Sequence, residues 1–491
     1  MSELRLPENF LWGASICGHQ CDGAWDEDGK GDSVLDHATT CDENKTRRFT
    51  HRIDPDLRYP SHYGNDFYHR YKEDIAYMAD LGFKSMRFNV MWTRLYPTGE
   101  EETPNEKGMQ YYRDIITELK KHDMEPIIML SHLDFPYHLA MKYGGWANRK
   151  TIGLFLRFTK TVLEEFGKDC KKFIGFNEIN ILCQPIGKLL GGIIYDYDFD
   201  YNIVKGNPDE TKEDIDNRFK ALHDQFLAAA RFAIMAREMI PDVLIGGCVS
   251  GKCIYPLTPD PKDVLAAQQA MQIPDWFVGD MLVRGDYSFF AKRYLERNGI
   301  DNGALPEDAD ILKKGTIDFY GVNYYSTGCI SADTSVAKDC AMNMFVSTKN
   351  PHLKASQWGW QIDPDGMRYL CNEIYGRYNI PILILENGIG AAESPDENGR
   401  IYDPYRNDYV AKHVESMKQI IDDGIELMGY FYWAPIDLVS ASTGEMKKRY
   451  GFVYVDADDF GNGTFNRTKK ESYEWMKKML HSNGNDTGTL N

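Results

Sequence analysis

The stretch ILILENG, residues 382–388, is a short apolar run that ends in a carboxylate, an amide and a glycine. An apolar run of this length, bounded by a turn residue, is typical of a buried β-strand. Seven further runs along the chain share these features. Together they make eight candidate strands, at residues 10–15, 85–90, 126–131, 173–177, 243–248, 317–322, 382–386 and 428–433.

Helical patterns separate the candidate strands. Tyr68, Tyr71, Ile75 and Met78 recur three or four residues apart, and Gly82 follows them as a helix-ending residue. Eight strands that alternate with helices predict the α/β class and a single (β/α)8 TIM barrel. An open doubly wound sheet is the alternative, because the periodicity of a sequence does not show whether its sheet closes.

The sequence predicts a single folded domain. No internal repeat and no low-complexity linker divides its 491 residues. We therefore predict a catalytic barrel domain over residues 1–480 and a flexible C-terminal tail over 481–491, which is polar and contains glycine. The segments at 185–215 and 330–360 are long for connections, and in a barrel they would be loops on the catalytic face.

Composition excludes several classes of partner. The formal net charge of −18 argues against nucleic acid, whose binding needs a basic surface, and against an anionic membrane. No apolar run reaches the roughly 18 residues that span a bilayer, and the first residues lack the apolar core of a signal peptide. The ten cysteines include no CxxC pair, so no zinc site or redox motif is indicated. We predict a cytoplasmic protein with reduced thiols and with no metal or cofactor, and a homo-oligomer stays possible.

Polar side chains gather where the candidate strands end, which is where TIM barrels carry their functional residues. Asn177 and Glu178 follow the fourth strand, and Glu386 ends the seventh. Two carboxylates at these positions would face each other across the barrel, as cleavage of a glycosidic bond requires. The other strand ends carry Arg87, His132, Asn323, Tyr325 and Trp433.

Each of these residues also has an ordinary structural interpretation. A glutamate at a strand end is more often solvated or salt-bridged, and Arg87 could pair with any nearby acid. His132 and Trp433 could simply be packing residues. The ordinary interpretation weakens because all of these residue types fall at the same end of successive strands.

Three separated motifs resemble those of the family 1 glycoside hydrolases, and the resemblance runs over nearly the whole chain. The stretch FLWGAS at 10–15, followed by Gln20 and by GAW at 23–25, is similar to the family's N-terminal signature. FNE at 176–178 resembles its acid/base motif TFNEP, from which Gly175 and Ile179 depart. ILENG at 384–388 resembles its nucleophile motif, with Leu385 in place of the usual threonine.

The resemblance implies a retaining β-glycosidase in which Glu178 is the acid/base and Glu386 the nucleophile. It implies that Arg87 and Tyr325 hold the Glu386 carboxylate, and that the charge of Glu386 raises the pKa of Glu178. Asn323 would support this arrangement. Contacts to the sugar are implied for Gln20, His132, Asn177, Tyr325 and Trp433, and a contact to the aglycone is implied for Trp360.

The segment at 437–450 indicates which sugar is bound. Family members that act on free sugars carry Glu-Trp where this chain has Ser440 and Ala441, and a carboxylate there would repel a 6-phosphate. The segment resembles the 6-phospho-β-glucosidase branch, in which a serine, a lysine and a tyrosine form a phosphate pocket. The best matches are Ser442, Lys448 and Tyr450, with Ser440 as an alternative to Ser442. The ordinary interpretation of 447–449 is a solvated basic turn.

The resemblance therefore implies hydrolysis of a phosphorylated β-glucoside, such as cellobiose 6-phosphate or an aryl β-glucoside 6-phosphate, to glucose 6-phosphate and aglycone. A 6-phospho-β-galactosidase is less favoured, because that branch keeps a tryptophan after the pocket serine, where this chain has Ala441. A plain β-glucosidase is less favoured because its glutamate is absent. Outside enzymes, the alternative is a silent sugar-binding or scaffold protein on the same barrel, which the presence of both carboxylates disfavours.

Overall fold

A closed barrel of eight parallel strands forms the centre of the computed structural model, which describes residues 4–202, 210–343 and 345–488. The strands are β1 Leu11–Ser15, β2 Ser85–Asn89, β3 Glu125–Ser131, β4 Lys172–Phe176, β5 Leu244–Ser250, β6 Phe319–Asn323, β7 Ile382–Asn387 and β8 Leu427–Trp433. They pair in chain order, and β8 pairs with β1 to close the ring. Each lies within two residues of its predicted position, so the TIM barrel is confirmed and the open sheet is excluded.

Helices follow the strands along the chain. Eight of them are numbered here: α1 Phe67–Leu81, α2 Glu106–Lys121, α3 Lys150–Phe166, α4 Lys212–Met239, α5 Asp308–Lys314, α6 Pro364–Tyr378, α7 Pro404–Asp422 and α8 Ser472–His481. Others span Gly18–Cys21, Trp92–Leu95, Tyr137–Tyr143, Gly187–Leu190, Pro261–Met271, Val278–Arg284 and Phe289–Arg297. Short 3₁₀ or π turns span Val34–His37, Pro60–His62, Gly145–Ala147, Ile179–Cys183 and Gln272–Phe277.

Small two-stranded sheets decorate the barrel. Four are antiparallel: Arg47–Phe49 with Phe199–Tyr201, Cys340–Met342 with Phe345–Ser347, Ala391–Ala392 with Lys448–Arg449, and Val453–Val455 with Arg467–Lys469. Cys253–Pro256 pairs in parallel with Thr327–Ile330. The strand Phe199–Tyr201 and the paired strands Cys340–Met342 and Phe345–Ser347 lie in the long segments that the sequence predicted to be loops.

Helix α1 shows how the apolar pattern becomes structure. Ile75 and Met78, two of the residues that predicted it, are fully buried against the barrel core. The helix ends at Gly82, whose φ of 111° lies in the left-handed region. Glycine adopts this conformation without the steric cost that a β-carbon would add. Its backbone N–H can therefore donate to carbonyl groups in the last turn of the helix without strain.

The barrel interior is filled by alternate residues of the strands. Ile127 and Met129 of β3 and Leu383 and Leu385 of β7 belong to one interior cluster, because successive side chains of a strand point to opposite faces. Leu385, which replaces the family's threonine, is therefore part of this apolar filling. A register shift after Ile384 interrupts the alternation in β7. Such bulges re-aim side chains next to active sites, and this one lets the residue after Leu385 also face the barrel mouth.

The C-terminal segment contacts the barrel as far as the structure describes it. Asn483 Oδ1 accepts a hydrogen bond from Trp12 Nε1 at 2.8 Å, and Trp475 Nε1 donates to the Thr487 carbonyl at 3.0 Å. Residues 489–491 lie outside the described residues, so the flexible tail at 481–491 stays a prediction. Within the described ranges, none of the helices has the length and apolar character that a membrane crossing needs.

Candidate active site

A pocket opens at the carboxyl ends of the barrel strands and contains both predicted catalytic glutamates. Glu178 follows β4, and Glu386 lies near the end of β7. Most of the other predicted site residues meet in the same pocket. It is lined by Gln20, His132, Leu133, Asn177, Glu178, Tyr325, Asn343, Trp360, Glu386, Trp433, Ser440, Ala441, Ser442 and Tyr450.

The three remaining predicted residues border this pocket. Lys448 lines an adjoining pocket that shares Trp360 and Ser442 with the first. Arg87 and Asn323 are buried and reach the two glutamates by hydrogen bonds. The structure therefore brings together every residue that the sequence assigned to the site.

Arg87 and Tyr325 hold the Glu386 carboxylate. Arg87 Nη1 donates to Glu386 Oε1 at 2.5 Å, and Tyr325 Oη donates to Oε2 at 2.7 Å. His132 Nε2 lies 3.9 Å from Oε1. Burial, and after it the charge of Arg87, hold the pKa of His132 well below its usual range, so its ring is neutral. Among the described residues, the positive charge in direct contact with Glu386 is then the Arg87 guanidinium, which stays protonated in proteins.

Glu178 is a buried carboxyl group with two amide partners. Its Oε1 accepts from Asn323 Nδ2 at 2.9 Å and from Asn343 Nδ2 at 2.8 Å. Burial first, and the charge of Glu386 second, raise the pKa of Glu178 to about 8. The sequence named only the second of these causes, whereas loss of hydration around the charged form is the larger one. Glu178 is therefore mainly protonated at neutral pH.

A continuous set of hydrogen bonds joins the two glutamates. Arg87 Nη2 donates to Asn177 Oδ1 at 2.5 Å, and Asn323 Nδ2 donates to the same oxygen at 3.2 Å as well as to Glu178. Cys248 Sγ is a third donor to it, at 3.2 Å. Because these donors occupy the amide oxygen of Asn177, its amide nitrogen is left to donate to a ligand.

A protonated Glu178 in the same pocket as Glu386, which is held by Arg87 and Tyr325, has a specific chemical use. Hydrolysis of a glycosidic bond with retention needs one carboxylate to attack the anomeric carbon and one carboxylic acid to protonate the departing oxygen. Environments that push the two groups toward different protonation states assign these roles. Among the described residues, no group of three or more histidine, cysteine, aspartate or glutamate side chains is placed to hold a metal ion.

Gln20 and His132 present unpaired polar atoms in the pocket. Gln20 Nε2 donates to the Val439 carbonyl at 2.6 Å, while its Oε1 has no hydrogen-bond partner among the described residues. His132 Nδ1 is unpaired in the same sense. Buried polar atoms usually have partners, so an unpaired one in a pocket is suited to bind a polar ligand. The ring of Trp433 lies 5.9 Å from that of His132 and adds an apolar wall beside them.

Lys448 is a buried lysine without an acidic partner. It is 1% exposed, and nothing in the described ranges forms a salt bridge with its ammonium group. The Nζ atom lies 3.8 Å from the ring centre of Trp360 and 5.6 Å from those of Trp358 and Tyr450. Burial lowers the pKa of Lys448 to about 7, although the charge of Glu445 opposes the shift. A buried cation with no anion beside it is a natural site for an anionic ligand group.

Ser440 and Ser442 lie side by side at this end of the pocket. Their Oγ atoms are 3.2 Å apart, and both residues line the pocket together with Tyr450. The two serines between which the sequence could not choose are therefore neighbours. Hydroxyl groups at either position can donate to the same anion that Lys448 attracts.

Sequence reasoning missed Asn343 and a group of residues around Glu445. Glu445 is 2% exposed and accepts hydrogen bonds from Lys45 Nζ at 2.8 Å and Trp358 Nε1 at 3.1 Å. It thereby fixes one of the rings that surround Lys448. The position of Glu445 in the 437–450 segment could have pointed to a role near the phosphate pocket. Nothing in the sequence pointed to Lys45, which is 400 positions away from Glu445. For Asn343 the signal was only its place in the 330–360 loop.

Relatives of known function resemble the chain over its full length. The aryl-phospho-β-D-glucosidase BglH of Bacillus subtilis is 41% identical over 489 residues, which are 98% of this chain and 99% of the relative. The 6-phospho-β-glucosidase AscB of Escherichia coli is 41% identical over 488 residues, again 98% of this chain and 99% of the relative. Among solved structures, the family 1 β-glucosidase from Thermotoga maritima matches with a TM-score of 0.81 at 28% identity, covering 98% of this chain and 99% of that one.

The family model described as glycosyl hydrolase family 1 matches residues 2–485. This range includes the whole described barrel and both glutamates of the pocket. A match of this extent leaves no part of the catalytic face to a different family. The chain belongs to glycosyl hydrolase family 1 and is a glycoside hydrolase.

Proposed function

We propose that this chain is a retaining 6-phospho-β-glucosidase that cleaves phosphorylated β-glucosides to glucose 6-phosphate and a free aglycone. The observation that carries the proposal is Lys448, a buried lysine with no salt-bridge partner among the described residues, which lines the pocket adjoining that of Glu178 and Glu386. The names of relatives about 40% identical, among them a phospho-cellobiase, support the same substrate class. Because sugar phosphates do not cross membranes unaided, we place the reaction in the cytoplasm.

The first half of the reaction forms a covalent intermediate. A Glu386 oxygen attacks the anomeric carbon, and the bond from that carbon to the aglycone oxygen breaks as Glu178 gives its proton to the departing oxygen. Positive charge develops on the sugar ring in the transition state, and the Glu386 carboxylate stabilises it. Asn177, whose amide oxygen accepts from Arg87, would donate from its amide nitrogen to the sugar 2-hydroxyl, and this hydrogen bond would strengthen in the transition state.

The second half of the reaction releases the sugar. Formation of the ester neutralises Glu386, so Glu178, now ionised, no longer has a negative neighbour. It accepts a proton from water, whose oxygen attacks the anomeric carbon and displaces Glu386 as a carboxylate. Two displacements at one carbon restore the β configuration. Glu178 has its proton again and can start the next cycle.

The phosphate end of the pocket selects the substrate. Lys448 would supply a full positive charge to the 6-phosphate, and Ser440, Ser442 and Tyr450 would supply hydroxyl donors. The aromatic rings around Lys448 exclude water and so strengthen its attraction to an anion. Trp360, which also borders the adjoining pocket, would pack against the aglycone.

One comparison tests the proposed function. Nitrophenyl β-D-glucoside should be a poor substrate, whereas the same compound with a 6-phosphate should be cleaved efficiently, and nitrophenyl β-D-galactoside 6-phosphate should react more slowly. The first sugar product seen by proton NMR should be the β-anomer. A preference for the unphosphorylated glucoside, or an α-anomer as the first product, would overturn the proposal.

The pH dependence should differ between the two glucosides. For the unphosphorylated one, kcat/KM should fall as pH rises through about 8, because only protonated Glu178 can donate to the leaving oxygen. For the phosphorylated one the fall should begin near pH 7, where the free enzyme loses the charge of Lys448. Profiles of kcat/KM report ionisations of the free enzyme, so we would measure both over about pH 5 to 10. Identical basic limbs would contradict a role for Lys448 in phosphate binding.

The Glu178→Gln variant should separate the two halves of the reaction. A dinitrophenyl β-glucoside 6-phosphate has a leaving group that departs without protonation, so its first step should stay fast while the second step lacks its base. A burst of dinitrophenol followed by slow turnover is expected, and intact-mass measurement should detect the glycosyl-enzyme. Substrates with poor leaving groups should show no burst. Steady-state rates close to those of the unmodified enzyme would show that Glu178 is not the acid/base.

A further inference from the structure

Asn343 reaches the active site from outside the barrel. It lies between the paired strands Cys340–Met342 and Phe345–Ser347, in the loop that follows β6, and its φ of 51° places it in the left-handed region. Asparagine is one of the few non-glycine residues that adopt this conformation readily. Asn343 lines both the pocket of the two glutamates and the adjoining pocket that contains Trp358 and Gln357. It therefore borders both the carboxyl group of Glu178 and the adjoining pocket, in which Lys448 and Trp360 also lie.

Two acceptors fix the amide group of Asn343. Its Nδ2 donates to Glu178 Oε1 at 2.8 Å and to Ser250 Oγ at 3.1 Å. Ser250, at the end of β5, is itself held by Asn180, whose side chain donates to the Ser250 carbonyl and accepts from its backbone N–H, both at 2.9 Å. The donor that meets Glu178 is thus anchored to β5 through Ser250, and a buried pair of hydrogen bonds joins Ser250 to Asn180.

We propose that Asn343 is a positioning residue that holds the Glu178 carboxyl group for both of its proton transfers, a role that rests on the proposed function. Asn343 donates from the hairpin and Asn323 donates from β6, so that Glu178 Oε1 is fixed by two amide donors. Fixing one oxygen leaves the other free to carry the proton toward the substrate. This division suits a group that must give a proton to an oxygen and later take one from water.

Asn343 also opposes the forces that keep Glu178 protonated. A hydrogen bond donated to a carboxylate favours the charged form, whereas burial and the charge of Glu386 disfavour it. The other ionisable groups facing Glu178 are Arg87 of β2, which favours the charged form, and the thiol of Cys248 and the hydroxyl of Tyr325, which are neutral because burial raises their pKa values. None of these groups belongs to the hairpin, so a change at position 343 alters a donor and leaves the surrounding charges intact.

The test uses Asn343→Gly, because glycine keeps the left-handed backbone and removes only the amide. The basic limb of kcat/KM on the unphosphorylated glucoside should move up by about one pH unit, since a hydrogen bond to a charged group is worth at least that much in pKa. At the pH optimum, kcat/KM on the phosphorylated substrates should fall by about 10-fold with an alkyl aglycone and hardly at all with dinitrophenol, which needs no proton. Asn343→Asp should raise the basic limb further, because it adds a negative charge beside Glu178.

Two controls keep the outcome clear. Ser347→Ala changes the same hairpin at a residue that, within the described ranges, contacts neither glutamate, so its pH profile should match that of the unmodified enzyme. Thermal unfolding of each variant would show whether the fold is retained. An unchanged basic limb in Asn343→Gly, or an equal loss on all leaving groups, would overturn the role of Asn343. Failure of the unmodified enzyme to prefer phosphorylated glucosides would instead refute the proposed function.

Discussion

Replacement of Glu386 by glutamine is expected to lower kcat by about 10⁴-fold or more on every substrate, whatever its leaving group. An amide cannot attack the anomeric carbon to form the ester, and it offers no negative charge to the developing cation. The amide oxygen can still accept a hydrogen bond from Arg87 Nη1, which now bonds Glu386 at 2.5 Å. The variant should therefore remain folded and still bind substrate, so the loss should appear in kcat.

The measurement compares Glu386→Gln with a matched change far from the pocket. Glu474 on α8 is 73% exposed, and Glu474→Gln should leave both kcat and KM unaltered. With the dinitrophenyl substrate, Glu386→Gln should show no burst, in contrast to Glu178→Gln. Retention of even about one hundredth of the normal rate, with no reversion to glutamate detected by mass, would argue that another group is the nucleophile.

Replacement of Lys448 by alanine should lower kcat/KM on the phosphorylated glucoside by roughly 10- to 150-fold. The estimate follows from the strength of a hydrogen bond to a charged group, roughly 1.5–3 kcal/mol, at about 1.4 kcal/mol per factor of ten. Cleavage of the unphosphorylated glucoside should hardly respond, because the ammonium group has nothing to bind there. Part of the loss should fall on kcat if binding of the phosphate helps to orient the sugar.

The neighbouring lysine provides the control. The side chain of Lys447 is 55% exposed and already pairs with Glu445 and Asp459. Lys447→Ala should therefore change kcat/KM on the phosphorylated substrate far less than Lys448→Ala does. Ser442→Ala should have an intermediate effect, because it removes a neutral donor. Equal effects of Lys448→Ala on both glucosides would show that the residue acts on packing and does not recognise phosphate.

The barrel was predictable from the sequence because its signals are local. Each strand is a short apolar run that ends at a turn or a polar residue, and this pattern is typical of a parallel strand buried on both faces. The stripe that ends at Gly82 predicted α1 for the same reason. The sequence did not show how Glu386 comes to face the mouth of the barrel next to the inward Leu385, because a bulge depends on the register with neighbouring strands.

The two glutamates proposed as the catalytic pair could be located in the sequence, since the motifs FNE and ILENG that contain them are contiguous. The main reason for the raised pKa of Glu178 could not be predicted from the sequence. The sequence suggested the charge of Glu386, whereas the first cause is burial, which is a property of the whole fold around the group. Hydration depends on everything that surrounds a side chain, and a list of its sequence neighbours does not contain that information.

By itself, the sequence determined where the strands lie and how they alternate with helices. It also indicated the two glutamates of the pocket and the lysine, serine and tyrosine residues of the 437–450 segment. Apolar periodicity and sequence motifs both occur within short stretches of chain, so they can be recognised without the fold. Only the tertiary structure decided that Lys448 has aromatic neighbours and, within the described ranges, no salt bridge. It also decided that Lys45 and Trp358 meet at Glu445 and that Asn343 donates to Glu178. The contacts that join Lys448 to Trp360, Glu445 to Lys45 and Trp358, and Asn343 to Glu178 span 87 to 400 positions of sequence. The energy of each contact depends on the distance between the two groups and on their burial, and both are set by closure of the barrel and packing of its loops.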